Sequence, residues 1–122
     1  MQEQQMNLQE LREKLRSFTE ERDWQQFHTP KNLATALSVE AAELLEPFQW
    51  LKTGEVSELS PDSLAAIRYE MADVLNYLVM LADSLEVDLL AAAYEKIQQN
   101  AQKYPIEVAH GNAQKYTQLQ KE

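Results

Sequence analysis

Two pairs of carboxylates stand where apolar side chains belong. Leu33, Leu37, Leu44 and Phe48 recur at helical spacing, and Glu40 falls inside their stripe with Glu43 three residues on. The run from Met71 to Ala82 is apolar on almost every face of a helix, yet it contains Asp73 and Asn76, and Glu70 lies three residues before Asp73. A carboxylate in an apolar stripe is costly if it is buried and unpaired. It must be paired, protonated, metal-bound or less buried than the pattern indicates. Two antiparallel helices could bring Glu40, Glu43, Glu70 and Asp73 together, and four such groups repel one another without a cation. A hard divalent cation removes the conflict, because Mg²⁺ takes oxygen ligands in octahedral geometry. Carboxylate bundles that hold di-iron are comparable, but they draw a Glu-x-x-His motif from each of two helices. Neither His28 nor His110 fits that spacing. The competing reading is a solvated acidic face, since the chain carries 20 Asp+Glu and Glu46 extends the row beyond Glu43.

The elements that must position these acids are legible as helices. Leu8, Leu11, Leu15 and Phe18 recur at spacings of three and four, behind Asn7 and Glu10 in a capping-box arrangement, and predict a first helix to about Arg22. Asp23 to Thr29 reads as a loop. Thr29 as N-cap and Pro30 at the first position open a second helix expected to reach Phe48, with Pro47 near its end. Lys52 to Ser60, with Gly54, reads as an exposed connection. Ser60-Pro61-Asp62 opens a third helix from Pro61 to about Leu85. Asp88 caps a fourth that ends near Lys103, before Tyr104-Pro105. Residues 1–6 and 106–122 are expected to be irregular or flexible. The expected fold class is all-α, a four-helix bundle in a single domain over residues 1–122.

Composition narrows the class further. Gly 2 and Pro 4 are too few for the turns of an all-β sandwich or barrel. Cys 0 excludes disulfides, thiolate metal sites and a cysteine nucleophile, and fits a reducing, cytoplasmic setting. The opening residues are polar and glutamine-rich, so no signal peptide is expected. The longest apolar stretch, about twelve residues, is short of the roughly twenty that a membrane span needs. A net charge of −9 disfavours nucleic acid, whose backbone is bound by Lys and Arg. The stripe Ile67, Met71, Val74, Leu78, Leu81 and Leu85 alternates by four and three like a heptad seam. A central helix so apolar is hard to bury in a chain this short, which predicts a homodimer.

The acidic residues read Val39-Glu40-Ala41-Ala42-Glu43 and Glu70-Met71-Ala72-Asp73. Around them stand Glu21-Arg22-Asp23-Trp24, Gln26-Phe27-His28, Pro30-Lys31-Asn32-Leu33, Phe48-Gln49-Trp50, Asp73-Val74-Leu75 with Tyr77-Leu78, Asn100 with Lys103-Tyr104-Pro105, and Lys115-Tyr116-Thr117. In this order they resemble the MazG-like all-α nucleoside triphosphate pyrophosphohydrolases, and among these the dCTP pyrophosphatase-type branch. The resemblance runs from about Leu8 to Leu119. The family motif is Glu-Glu-x-x-Glu, a spacer, then Glu-x-x-Asp; Val39 replaces its first Glu, as in that branch.

The resemblance implies a bundle that assembles as homodimers, pairing into homotetramers. It implies hydrolysis of a dCTP-like or modified triphosphate to the monophosphate and pyrophosphate, a nucleotide-pool housekeeping activity. Glu40, Glu43, Glu70 and Asp73 would bind Mg²⁺, with Glu43 as the group that takes the proton from water. Trp24, Trp50 and Tyr77 would line the base and sugar pocket. Lys96, Asn100 and Lys103 would hold the phosphates, and their spacing of four and three does place them on one helix face. Lys103 stands where much of the family has arginine, and a lysine offers a point charge in place of a bidentate fork. Leu15 stands near the position at which some dCTP-preferring relatives carry histidine. The alternative is a non-enzymatic helical dimerisation or adaptor protein with a solvated acidic face. Asp73 discriminates: burial against Glu40 favours the enzyme, and solvation favours the adaptor.

Overall fold

Local signals account for most helix starts. In a computed structural model, which describes residues 6–113, the chain forms α1 (Leu8–Glu21), α2 (Pro30–Leu45), α3 (Pro61–Ser84), α4 (Leu89–Lys103) and α5 (Ile106–Ala109). Single 3₁₀ turns occupy Gln25–Phe27 and Val56–Glu58, and no strand occurs among the described residues. Four helices open on a side chain that accepts the N–H three residues ahead. These are Asn7 from Glu10 (2.8 Å), Thr29 from Asn32 (3.2 Å), Ser60 from Ser63 (3.1 Å) and Asp88 from Ala91 (3.0 Å). Pro30 and Pro61 open α2 and α3, where a missing N–H costs nothing.

Two boundaries differ from the sequence expectation. Helix α2 ends at Leu45, short of Phe48, because Pro47 has no N–H with which to continue the ladder. The chain tightens into turns closed by Glu46 N–H to Glu43 C=O (3.2 Å) and Phe48 N–H to Leu45 C=O (2.9 Å). The expected irregular tail contains one helical turn, α5, where the Ala109 N–H bonds the Pro105 carbonyl at 2.9 Å. Residues 1–5 and 114–122, including Lys115-Tyr116-Thr117, lie outside the described residues.

Helices α1, α2 and α3 form one compact unit and α4 and α5 a second, dividing after Val87. In the first unit α3 lies along α2 and also packs on α1. Leu33 of α2 and Ile67, Val79 and Ala82 of α3 are its buried apolar residues, joined by Thr19 of α1. The Thr19 hydroxyl escapes an unpaired burial by donating to the Arg16 carbonyl at 3.0 Å. Arg16 clamps α1 to α3: its Nε donates to Asp83 Oδ2 at 2.7 Å and its Nη2 to Oδ1. The guanidinium holds the Asp83 carboxyl below the usual carboxylate range.

In the single chain α3 is not covered all round. Met71 is 56% and Leu75 41% exposed, so α1 and α2 do not close over all of its circumference. No described helix is long and apolar enough to cross a membrane.

Candidate metal centre and neighbouring cavity

The packing of α2 on α3 brings three of the acids together. Glu40 and Glu43 project from α2 and Glu70 from α3, and one carboxylate oxygen from each lies within 4.8 Å of the others. All three residues are half-buried, and the apolar stripe around Glu40 holds: Leu33 is buried, and Leu37, Leu44 and Phe48 are half-buried. Glu40 Oε2 and Glu70 Oε2 are buried without a hydrogen-bond partner. A buried anionic oxygen with no donor is unstable, so it takes up a proton or a cation. Glu40 shows the first response. Burial, then the close approach of the Glu70 and Glu43 carboxyl groups, pushes its carboxyl up to about 7.

This shift makes stability depend on pH. Glu40 keeps its proton in the folded chain over a range in which the unfolded chain has released it. Its contribution is complete below the unfolded value of 4.5 and is lost as pH rises through about 7. The metal-free protein is therefore expected to melt at a lower temperature near pH 8 than near pH 5, about where the linkage is fully lost and still present. Added Mg²⁺ is expected to raise the melting temperature most at the higher pH, since carboxylate ligands must be deprotonated. Melting curves at both pH values, in chelator and in Mg²⁺, check both expectations. A melting temperature that is flat with pH would show that Glu40 titrates normally.

Asp73 does not join this group. It is exposed and outside the three-acid group. A step of three residues along α3 carries it about 4.5 Å further and rotates it by roughly 60° from Glu70. There it lines a cavity of about 360 Å³ together with Trp24, Asn76 and Tyr77 from the loop and α3, and Leu15 and Phe18 from α1. The Trp24 ring meets Phe18 edge-on at 5.7 Å and His28 at 6.3 Å. The rings of Phe18, Trp24 and Tyr77, flanked by the Asn76 amide and the Asp73 carboxylate, form a pocket of the kind that encloses a planar heterocycle.

Of the other residues singled out in the sequence, Trp50 is 88% exposed and does not line this cavity. Lys96, Asn100 and Lys103 belong to the second unit, exposed along α4. Asn76 and His28 are cavity residues to which sequence reasoning assigned no role. Asn76 did carry a signal, a polar side chain in an apolar run three residues beyond Asp73. His28 carried only its place in the Gln26-Phe27-His28 stretch, since a histidine two residues before Pro30 reads as a loop or capping residue.

Comparison with known proteins places the chain. Residues 35–119 match the model of the MazG-like family. The dCTP pyrophosphatase 1 of Rattus norvegicus is 44% identical over 114 residues, covering 92% of this chain and 67% of the relative. The dCTP pyrophosphatase 1 of Homo sapiens matches to the same extent. Among solved structures, a pyrophosphatase from Archaeoglobus fulgidus superposes with a TM-score of 0.71 at 38% identity, covering 86% of this chain and 98% of that one. By both its sequence and its all-helical fold, the chain belongs to the MazG-like family.

Proposed function

We propose that this chain hydrolyses dCTP, or a base-modified relative, to the nucleoside monophosphate and pyrophosphate, with Mg²⁺ held by Glu40, Glu43, Glu70 and Asp73. That it is a nucleoside triphosphate pyrophosphohydrolase follows from the relatives. The observation that carries the metal is the pair of partnerless buried oxygens, Glu40 Oε2 and Glu70 Oε2, in a group of three carboxylates. An all-oxygen donor set of this kind fits a hard divalent cation. A bound Mg²⁺ supplies the positive charge that lets an acidic protein receive an anionic triphosphate.

The chain's own groups supply the rest. Water attacks the α-phosphorus, the bond from that phosphorus to the bridging oxygen breaks, and pyrophosphate leaves with the bond's electron pair. Glu43 takes the proton of the attacking water. Trp24 and Tyr77 enclose the base and sugar, and Trp50 adds a further aromatic face. Lys96, Asn100 and Lys103 offer donors to the phosphate oxygens. Met71 and Leu75, exposed on α3, support a homodimer or homotetramer in which a second copy covers that face. Light scattering of the purified protein tests the assembly. The proposed setting is the cytoplasmic nucleotide pool.

The decisive assay is pyrophosphate release from a panel of triphosphates, with and without Mg²⁺. Mg²⁺-dependent release from dCTP or a modified relative, with the monophosphate as co-product, supports the proposal. No release from any cytosine nucleotide would overturn the substrate. Exposure of Asp73 in the single chain is the observation that favours the adaptor reading, and the relatives outweigh it. Trp50→Ala is expected to raise KM by about 5- to 100-fold, as loss of one stacking contact would, with a smaller change in kcat. Steady-state kinetics with dCTP measure both, and an unchanged KM would remove Trp50 from base binding.

A further inference from the structure

The connection between α2 and α3 is tied more tightly than an exposed loop needs to be. Glu58, in the second 3₁₀ turn, directs its carboxylate back over the preceding residues. Its Oε1 accepts from the N–H of Thr53 (2.8 Å) and of Gly54 (3.0 Å) and from the Thr53 hydroxyl. Its Oε2 accepts from the Lys52 N–H at 3.0 Å. Three consecutive amides thus converge on one anion. The Thr53 hydroxyl oxygen in turn accepts from the Glu55 N–H at 3.3 Å.

A second contact fixes the other end. Gly54 has φ +77, and a Cβ there would meet Phe48 Cδ1 at 2.8 Å, so the Phe48 ring rests against the glycine backbone. Only glycine satisfies both the left-handed conformation and that approach. The Leu51 N–H closes back on the Phe48 carbonyl at 2.9 Å.

Trp50 sits between these two anchors. Its backbone neighbours are held by Phe48 on one side and by Glu58 on the other, yet Trp50 itself is 88% exposed. A large aromatic presented to solvent on an ordered loop is a pre-organised contact, since the backbone beneath it is already fixed and only its two side-chain torsions remain to be ordered on binding.

We propose that Glu58 is a positioning residue for Trp50: by tying the amides of residues 52–54 it holds the exposed indole ready for the base of the incoming nucleotide. The proposal rests on the reading of Trp50 as a base-binding residue. The Thr53 hydroxyl, followed by the Thr53 and Lys52 amides, draws the Glu58 carboxyl down to about 2, so the tie stays charged at any working pH.

The test pairs dynamics with kinetics on the full chain. The {¹H}-¹⁵N heteronuclear effect of the two indole N–H groups is measured in the wild type, Glu58→Gln and Glu58→Ala, with the Trp50 signal identified by its loss in Trp50→Phe. The expected result is an ordered Trp50 indole in the wild type, loosened in both Glu58 variants, with the Trp24 signal unchanged. KM for dCTP is expected to rise by about 3- to 10-fold in Glu58→Gln with kcat nearly constant, since only the ordering of one side chain is lost. Equal order of the Trp50 indole in the wild type and both variants overturns the proposal. So does an unchanged KM in Glu58→Gln beside a raised KM in Trp50→Ala. An unchanged KM in Trp50→Ala overturns the base-binding reading itself, and this proposal with it.

Discussion

Glu40→Gln is expected to lower kcat by at least about 10²-fold while leaving the metal-free protein at least as stable as the wild type near pH 8. The kinetic loss follows from removing one of three converging carboxylates, since the stabilisation that a held cation gives to developing charge amounts to several kcal/mol and about 1.4 kcal/mol is a factor of ten. The gain in stability follows from the same cluster. At that pH the wild-type Glu40 is charged, half-buried and close to two other acids, and its Oε2 has no donor. An amide of the same shape carries no charge to desolvate or repel. Near pH 5 the wild-type group holds its proton, so the difference between the two proteins should vanish. Turnover at saturating Mg²⁺, with melts in chelator at the two pH values, checks each part. Wild-type turnover would remove the cluster from the chemistry. A variant less stable at the higher pH would mean that the Glu40 carboxylate is satisfied by a group the cluster does not include.

Asp73→Asn separates two roles for the one acid of the motif that stands apart. As a ligand in the working enzyme its loss should cut kcat by about 10²- to 10³-fold, in the range expected when a charge-stabilising group is removed. Metal-free stability should hardly change, because Asp73 is exposed and outside the three-acid group. A raised KM with kcat unchanged would instead assign it to the Trp24 and Tyr77 cavity, where it would contact the base or sugar. Turnover and KM both at wild-type values would remove it from the site altogether.

The starts of α1 to α4 were legible in the sequence because their causes are local. Asn7, Thr29, Ser60 and Asp88 each cap by bonding an amide three residues away, so type and spacing suffice. Glu40 within the stripe of Leu33, Leu37, Leu44 and Phe48 was legible for the same reason, because a helix repeats every 3.6 residues wherever it packs. The early end of α2 was less so. Pro47 marks a break, but only the turns that follow show that the helix stops before the proline instead of kinking through it. The tie at Glu58 obeys no period, since a loop has none, and could not be read from spacing at all.

Residue types and spacing alone thus establish an all-helical fold, where α1 to α4 begin, and which acids sit on apolar faces. The tertiary structure decided which of those acids meet. Helix α2 packed on α3 gathers Glu40, Glu43 and Glu70, while the turn between Glu70 and Asp73 carries Asp73 to the cavity with Trp24 and Tyr77. It likewise joined Arg16 to Asp83 across 67 residues and left Met71 and Leu75 of α3 uncovered. Periodicity states which residues share a face of one helix. What that face meets depends on the angle and depth at which helices pack, and these are set jointly by side chains far apart in the chain.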